Sequence, residues 1–115
     1  MKSVVLFAFN GELMCFMHVL LNALEMEKKG YKVKVVIEGA ATKLIPEISL
    51  EGNPANKLYL RAKEQNLIGG VCRACSVKMK VLDAVKTQGL PILDDMSGHS
   101  GMSKYLDDGY EIITL

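Results

Sequence analysis

Val4-Val5-Leu6-Phe7-Ala8 is a continuous, β-rich apolar run near the start of the chain. A half-exposed strand alternates apolar and polar residues, whereas a run without alternation needs cover on both faces, the pattern of a strand inside a parallel sheet. That stretch narrows the fold to α/β architectures, and the residues after it alternate accordingly. Asn10 is placed to cap a helix over Glu12 to Lys29, with Leu13, Phe16, Met17, Leu20, Leu21 and Leu24 at helical spacing and Lys28-Lys29-Gly30 as a basic last turn and glycine stop. Lys32 to Ile37 predicts a second strand, whose opening alternation of lysine and valine suits a sheet edge. Glu38 to Gly52 predicts a loop holding a short helix over Ala40 to Leu44, ended by Pro46.

Asn53-Pro54 has the form of an N-cap with proline at the first helical position, and the helix continues from Ala55 to Gln65. Asn66 to Cys72 is a third strand, in which Gly69 and Gly70 admit close backbone approach. Ala74 to Gln88 predicts one helix with Val77, Val81, Leu82 and Val85 on one side and Gly89 as its stop. Pro91-Ile92-Leu93 opens a fourth strand, Asp94 to Gly101 is a polar loop, Met102 to Asp107 a last helix and Tyr110 to Leu115 a fifth strand. The expected architecture is one three-layer α/β domain over residues 1–115, a mostly parallel sheet of about five strands with helices on both faces.

With 50% hydrophobic residues the chain supports one core without disulfide or metal. Fourteen basic against thirteen acidic residues leave a net charge of +1, which gives no electrostatic footprint for nucleic acid. The densest apolar run, Leu13 to Leu21, is about half the ~20 residues that cross a bilayer, and His18 interrupts it, so no membrane partner is expected. Asn10-Gly11-Glu12 stands where a secretory leader would need a small-residue cleavage site, and an odd set of thiols, Cys15, Cys72 and Cys75, suits a reducing compartment. Both observations point to a cytoplasmic protein.

Phosphate-loop, dinucleotide, zinc-protease and serine-hydrolase signatures are absent. What remains is Gly70-Val71-Cys72-Arg73-Ala74-Cys75, which sets a cysteine at the carboxyl end of a strand and the start of the next helix, the edge where open parallel sheets bind ligands. Free helical N–H groups and the macrodipole favour a thiolate there, Arg73 adds a cation, and Cys75 lies one helical turn on. The plainer alternative is a pair of small buried hydrophobes. In a flavodoxin-like strand order the first and third strands are neighbours, which brings Asn10 and Glu12 beside Cys72; Glu12 then serves as a proton acceptor or simply complements its own helix dipole. His99, between Gly98 and Gly101, is a candidate site residue or a solvated loop residue. Cys72, Cys75, His99 and Asp95 offer four zinc-type ligands, but structural zinc usually shows a second close-spaced pair, which is missing, so no metal or other cofactor is expected. Cys15 and His18 sit among apolar neighbours on the first helix, which favours a core role. Methionines Met14, Met17 and Met26 of that helix suit core filler.

In its order of elements the chain resembles the DsrE/DsrF-like (YchN-like) family, which is related to the TusBCD and DsrEFH sulfur-relay proteins. The likeness rests on Val4 to Phe9, Val33 to Ile37 followed by Glu38-Gly39-Ala40, the Gly70-Val71-Cys72 strand end, Gly89 before Leu90-Pro91-Ile92, and Gly109-Tyr110-Glu111-Ile112. It implies a sulfurtransferase-like sulfur relay in which Cys72 carries a persulfide between donor and acceptor proteins, and assembly as trimers or hexamers. Cys75 departs from the pattern, since the relay proteins carry a nonthiol residue there, and it opens the options of a redox pair or a zinc module. A non-catalytic binding protein is the remaining alternative. Assembly has support of its own: apolar residues wrap nearly around the first helix, where covering one sheet face takes a stripe of ~100°, so a second copy is the simplest cover unless the Glu38 to Gly52 loop folds over it.

Overall fold

The strands follow from the apolar runs. In a computed structural model that describes residues 1–115, β1 (Ser3–Ala8), β2 (Lys32–Ile37), β3 (Ile68–Cys72), β4 (Ile92–Leu93) and β5 (Glu111–Thr114) form one sheet in the order β4-β3-β2-β1-β5. Every pairing is parallel, with one irregularity between Val35 and Val36 where β2 meets β3. Val5 and Phe7 point to one side of β1 and Val4, Leu6 and Ala8 to the other, and all five are buried, as a run without alternation requires.

The helices are α1 (Leu13–Lys28), α2 (Ile45–Ile48, after a 3-10 segment Gly39–Leu44), α3 (Asn56–Glu64), α4 (Arg73–Lys78), α5 (Leu82–Thr87) and α6 (Ser103–Asp107). Because the chain steps from β1 to β4 in one direction, right-handed crossovers send the intervening helices to one face; only the return to β5 crosses the other. The two layers are accordingly unequal. Phe16, Val19 and Leu20 of α1, Ile45 and Ile48 of α2, Tyr59 of α3 and Val85 of α5 join a core of 23 buried residues. On the opposite face Tyr105 of α6 packs edge-on against Phe7 and Tyr110 in a cluster of 5.

That lopsidedness overturns the edge assignment of Lys32 to Ile37. β2 is the central strand, hydrogen-bonded on both sides, and its lysines fit because α6 leaves part of their face uncovered: Lys34 Nζ donates to the Asn66 carbonyl at 3.0 Å, and the Lys32 ammonium lies 5.5 Å from the Tyr110 ring centre. Caps shift as well. Asn10 and Asn53 each accept an N–H two residues on, at 2.8 Å, so they shape the turns that lead into α1 and α3 rather than cap them directly. Pro46 starts α2 instead of ending a helix.

The helix expected over Ala74 to Gln88 is broken. Lys80 takes a left-handed conformation (φ 61°) and the Val81 N–H reaches back to the Ser76 carbonyl, closing α4 after six residues. In a straight helix Val77 and Val81 would share a face; here Val77 stays exposed while Val81 and Val85 turn into the core.

On α1 the core side is Phe16, Val19, Leu20, Ala23 and Leu24. Cys15 and His18 are exposed, against the expected core role, and so are Met14 (75%) and Leu21 (47%), while Met17 and Met26 are half-buried. The segment from Glu38 to Gly52 does not cover them, since it packs toward α4 and α5. An apolar groove lined by Leu13, Met14, Met17, His18, Leu21 and Pro54 is left on the surface. No helix is long and apolar enough to cross a membrane.

Candidate functional site: a Cys-Cys-His cluster at the carboxyl end of β3

Three segments meet where β2, β3 and β4 end. Cys72 is the last residue of β3 and the residue that leads into α4; its side chain is 1% exposed, and its carbonyl accepts the Ser76 hydroxyl at 2.8 Å. Cys75 follows one turn later, half-buried. His99 comes from the loop after β4. There Met96 and His99 exchange two backbone hydrogen bonds of 2.8 Å around Ser97 (φ 50°) and Gly98 (φ 87°), a tight turn that needs left-handed backbone at both central positions. The Gly98 carbonyl then accepts the Ala74 N–H at 2.9 Å, which fastens the turn to the start of α4. As a result His99 Nδ1 stands 3.5 Å from Cys72 Sγ and 3.9 Å from Cys75 Sγ.

The segment after β2 closes the site from the third side. Glu38 Oε1 accepts the buried Ser100 hydroxyl at 3.0 Å, tying the end of β2 to the His99 loop. Burial pushes the Cys75 thiol above its ordinary value and the adjoining Cys72 adds to this; the Gly39 N–H works in the opposite sense.

Cys72, Cys75 and His99, singled out from sequence, are thus brought together. His99 is more than a solvated loop residue: its ring is exposed, yet one nitrogen faces both thiols. Glu12 and Asn10 are not in the site, because β2 lies between β1 and β3 and the flavodoxin-like order does not hold. The carboxylate at this edge is Glu38, which sequence reasoning missed. The rule that strand ends carry function would have found it had β2 been placed in the middle of the sheet. Arg73 is exposed, and its side chain makes no hydrogen bond or ion pair within the chain. Asp95 is engaged elsewhere, accepting the Gly101 N–H at 3.1 Å and pairing with Lys104 at 3.7 Å. With α4 only six residues long and the Ala74 N–H occupied, the expected helix-dipole contribution shrinks to one short turn.

A cleft of about 420 Å³ lies beside the cluster, lined by Glu38, Met96, Ser100 and Met102 among others but by neither cysteine.

These features define a parallel α/β protein with a Cys-Cys-His cluster at its strand ends. By sequence the chain belongs to the family of "Uncharacterized protein MJ0733" of Methanocaldococcus jannaschii, to which it is 35% identical over 99 residues, 86% of this chain and 78% of that one. An "Uncharacterized protein" of Archaeoglobus fulgidus is 40% identical over 58 residues, 50% of this chain and 93% of that one. A conserved protein of unknown function from Bacteroides thetaiotaomicron, BT1422, shares the fold with a TM-score of 0.67 at 18% identity, over 99% of this chain and 94% of that one. No protein-family model matches the sequence.

Proposed function

We propose that this protein is a sulfur carrier of the DsrE type, with Cys72 as the carrying thiol. The observation that supports this best is the convergence of Cys72, Cys75 and His99 Nδ1 at the end of β3. His99 at 3.5 Å accepts the Cys72 proton, and the thiolate attacks the terminal sulfur of a donor persulfide. A sulfur–sulfur bond forms at Cys72, the donor's sulfur–sulfur bond breaks, and the donor leaves as a thiol with no net oxidation. An acceptor thiolate removes the outer sulfur by the same step in reverse.

Cys75 is the alternative fate. If its thiolate attacked the inner sulfur of the Cys72 persulfide, a Cys72–Cys75 disulfide would form and hydrogen sulfide would leave, and a dithiol reductant would have to reset the pair. Burial keeps Cys75 protonated near neutral pH, which slows that discharge and favours carriage. Because Cys72 is buried beneath His99, a donor reaches it only when the loop from Asp94 to Gly101 swings aside. The setting we propose is cytoplasmic and homo-oligomeric, a trimer by the family resemblance, with the Met14, His18 and Leu21 face of α1 covered by a second copy. Incubation with cysteine persulfide followed by intact-mass measurement tests sulfur carriage. One added sulfur atom, lost in Cys72→Ser, is expected; no uptake, or uptake that Cys72→Ser leaves unchanged, contradicts it.

A further inference from the structure

The spacing of the same three side chains fits a second chemistry. A tetrahedral zinc-class ion binds thiolate sulfur at ~2.3 Å and imidazole nitrogen at ~2.0–2.1 Å, which places sulfur and nitrogen ligands ~3.5 Å apart and two sulfurs ~3.8 Å apart. His99 Nδ1 lies 3.5 and 3.9 Å from the two sulfurs, and all three atoms fall within 4.8 Å of one another. A Cys72 thiol donating to His99 accounts for one of these distances. It does not account for Cys75 closing the triangle.

We infer that Cys72, Cys75 and His99 form a binding site for a zinc-class divalent cation, with two thiolates and one imidazole as ligands and the fourth position open to a small exogenous ligand. The donor types are those zinc takes, and three protein ligands with one vacancy is the pattern of reactive rather than structural sites. A backbone bond presets the geometry: the Ala74 N–H donates to the Gly98 carbonyl at 2.9 Å and holds the histidine turn on α4. Asp95, the fourth ligand suggested by the sequence, is held by Gly101 and Lys104 and stays outside. His99 Nε2 has no partner within the chain, and a ligand histidine lacking that outer bond binds more weakly, so the ion exchanges readily. The buried core of 23 residues does not depend on it. Binding does not rest on sulfur carriage, although a bound ion occupies the thiols that carriage needs.

Cobalt(II) titrated into reduced, chelator-stripped protein gives the test, because tetrahedral thiolate coordination produces intense visible bands and a near-ultraviolet charge-transfer band. One equivalent should bind, zinc should displace it, and Cys15→Ser should change nothing. Cys72→Ser and Cys75→Ser should each lose most of the charge-transfer intensity, and His99→Ala, at an exposed position that spares both thiols, should weaken affinity at least about tenfold. Absent bands, bands that survive in the double cysteine variant, or bands that vanish in Cys15→Ser overturn the site. Circular dichroism of each variant shows whether a lost signal reflects unfolding. Sulfur uptake is measured on the metal-free protein, so failure of one proposal is told apart from failure of the other.

Discussion

The molecule holds two cysteine–histidine pairs. Cys15 and His18 stand three residues apart on α1, close in sequence, exposed, and without a hydrogen bond between their side chains. Cys72 and His99 are 27 residues apart, yet Sγ and Nδ1 lie 3.5 Å from one another. Proximity along a helix leaves both side chains of the first pair exposed on the chain's own surface, unfixed by one another. The second pair is fixed because strands β3 and β4 are neighbours and the turn after β4 is hydrogen-bonded to the start of α4. Chemistry at sulfur follows from what the sheet order brings together and from what buries it.

The difference should be largest in reactivity. In reduced, metal-free native protein, iodoacetamide should modify Cys15 on the order of a hundredfold faster than Cys72, because Cys72 reacts only after a local opening of roughly 2–3 kcal/mol. In strong urea the two rates should converge. Equal rates in the native state would mean that the His99 loop does not cover Cys72.

The second prediction concerns what supports the buried pair. A Cβ at Gly70 would sit 2.5 Å from Leu93 Cγ, so Gly70→Ala must push Leu93, the residue that leads into the His99 loop, out of place. We expect a loss of about 1–3 kcal/mol in urea unfolding and faster alkylation of Cys72, with the Cys15 rate unchanged. If Cys72 keeps its protection, β4 does not position the loop.

The face of α1 that carries the exposed pair tests the proposed assembly. Met14→Glu with Leu21→Glu sets charge on the uncovered face of α1 without touching its core side. Light scattering behind a sizing column should show the natural chain above 12.6 kDa and the variant at that mass, with Cys72 protection unaltered. A natural chain already at the monomer mass would remove self-association.

The smallest effect is in pH. Since burial raises the Cys75 thiol, its alkylation should lag that of Cys15 at neutral pH and catch up as pH rises past the ordinary thiol range. Parallel pH profiles for the two residues would show that Cys75 is not shielded.

The element order and the position of Cys72 and Cys75 were legible in the sequence because they rest on local signals: apolar runs, glycine stops, and a cysteine pair at a strand end. What sheet order decides was not. Lys32 and Lys34 mark an edge in most sheets, but here they lie on a central strand whose second face a single short helix covers. Glu38 entered the site through that same placement, where it accepts the Ser100 hydroxyl, and Glu12 left it. The break at Lys80 has neither glycine nor proline to announce it, so the shortness of α4 emerges only from how Val81 and Val85 reach the core.

The most direct test of sulfur carriage is to expose the metal-free protein to cysteine persulfide, digest it under non-reducing conditions and locate the added sulfur by peptide mass. We predict one sulfur atom on the peptide holding Cys72, unchanged by Cys15→Ser and abolished by Cys72→Ser. Sulfur found on Cys15, or persisting in folded Cys72→Ser protein, would contradict the assignment of Cys72 as the carrier.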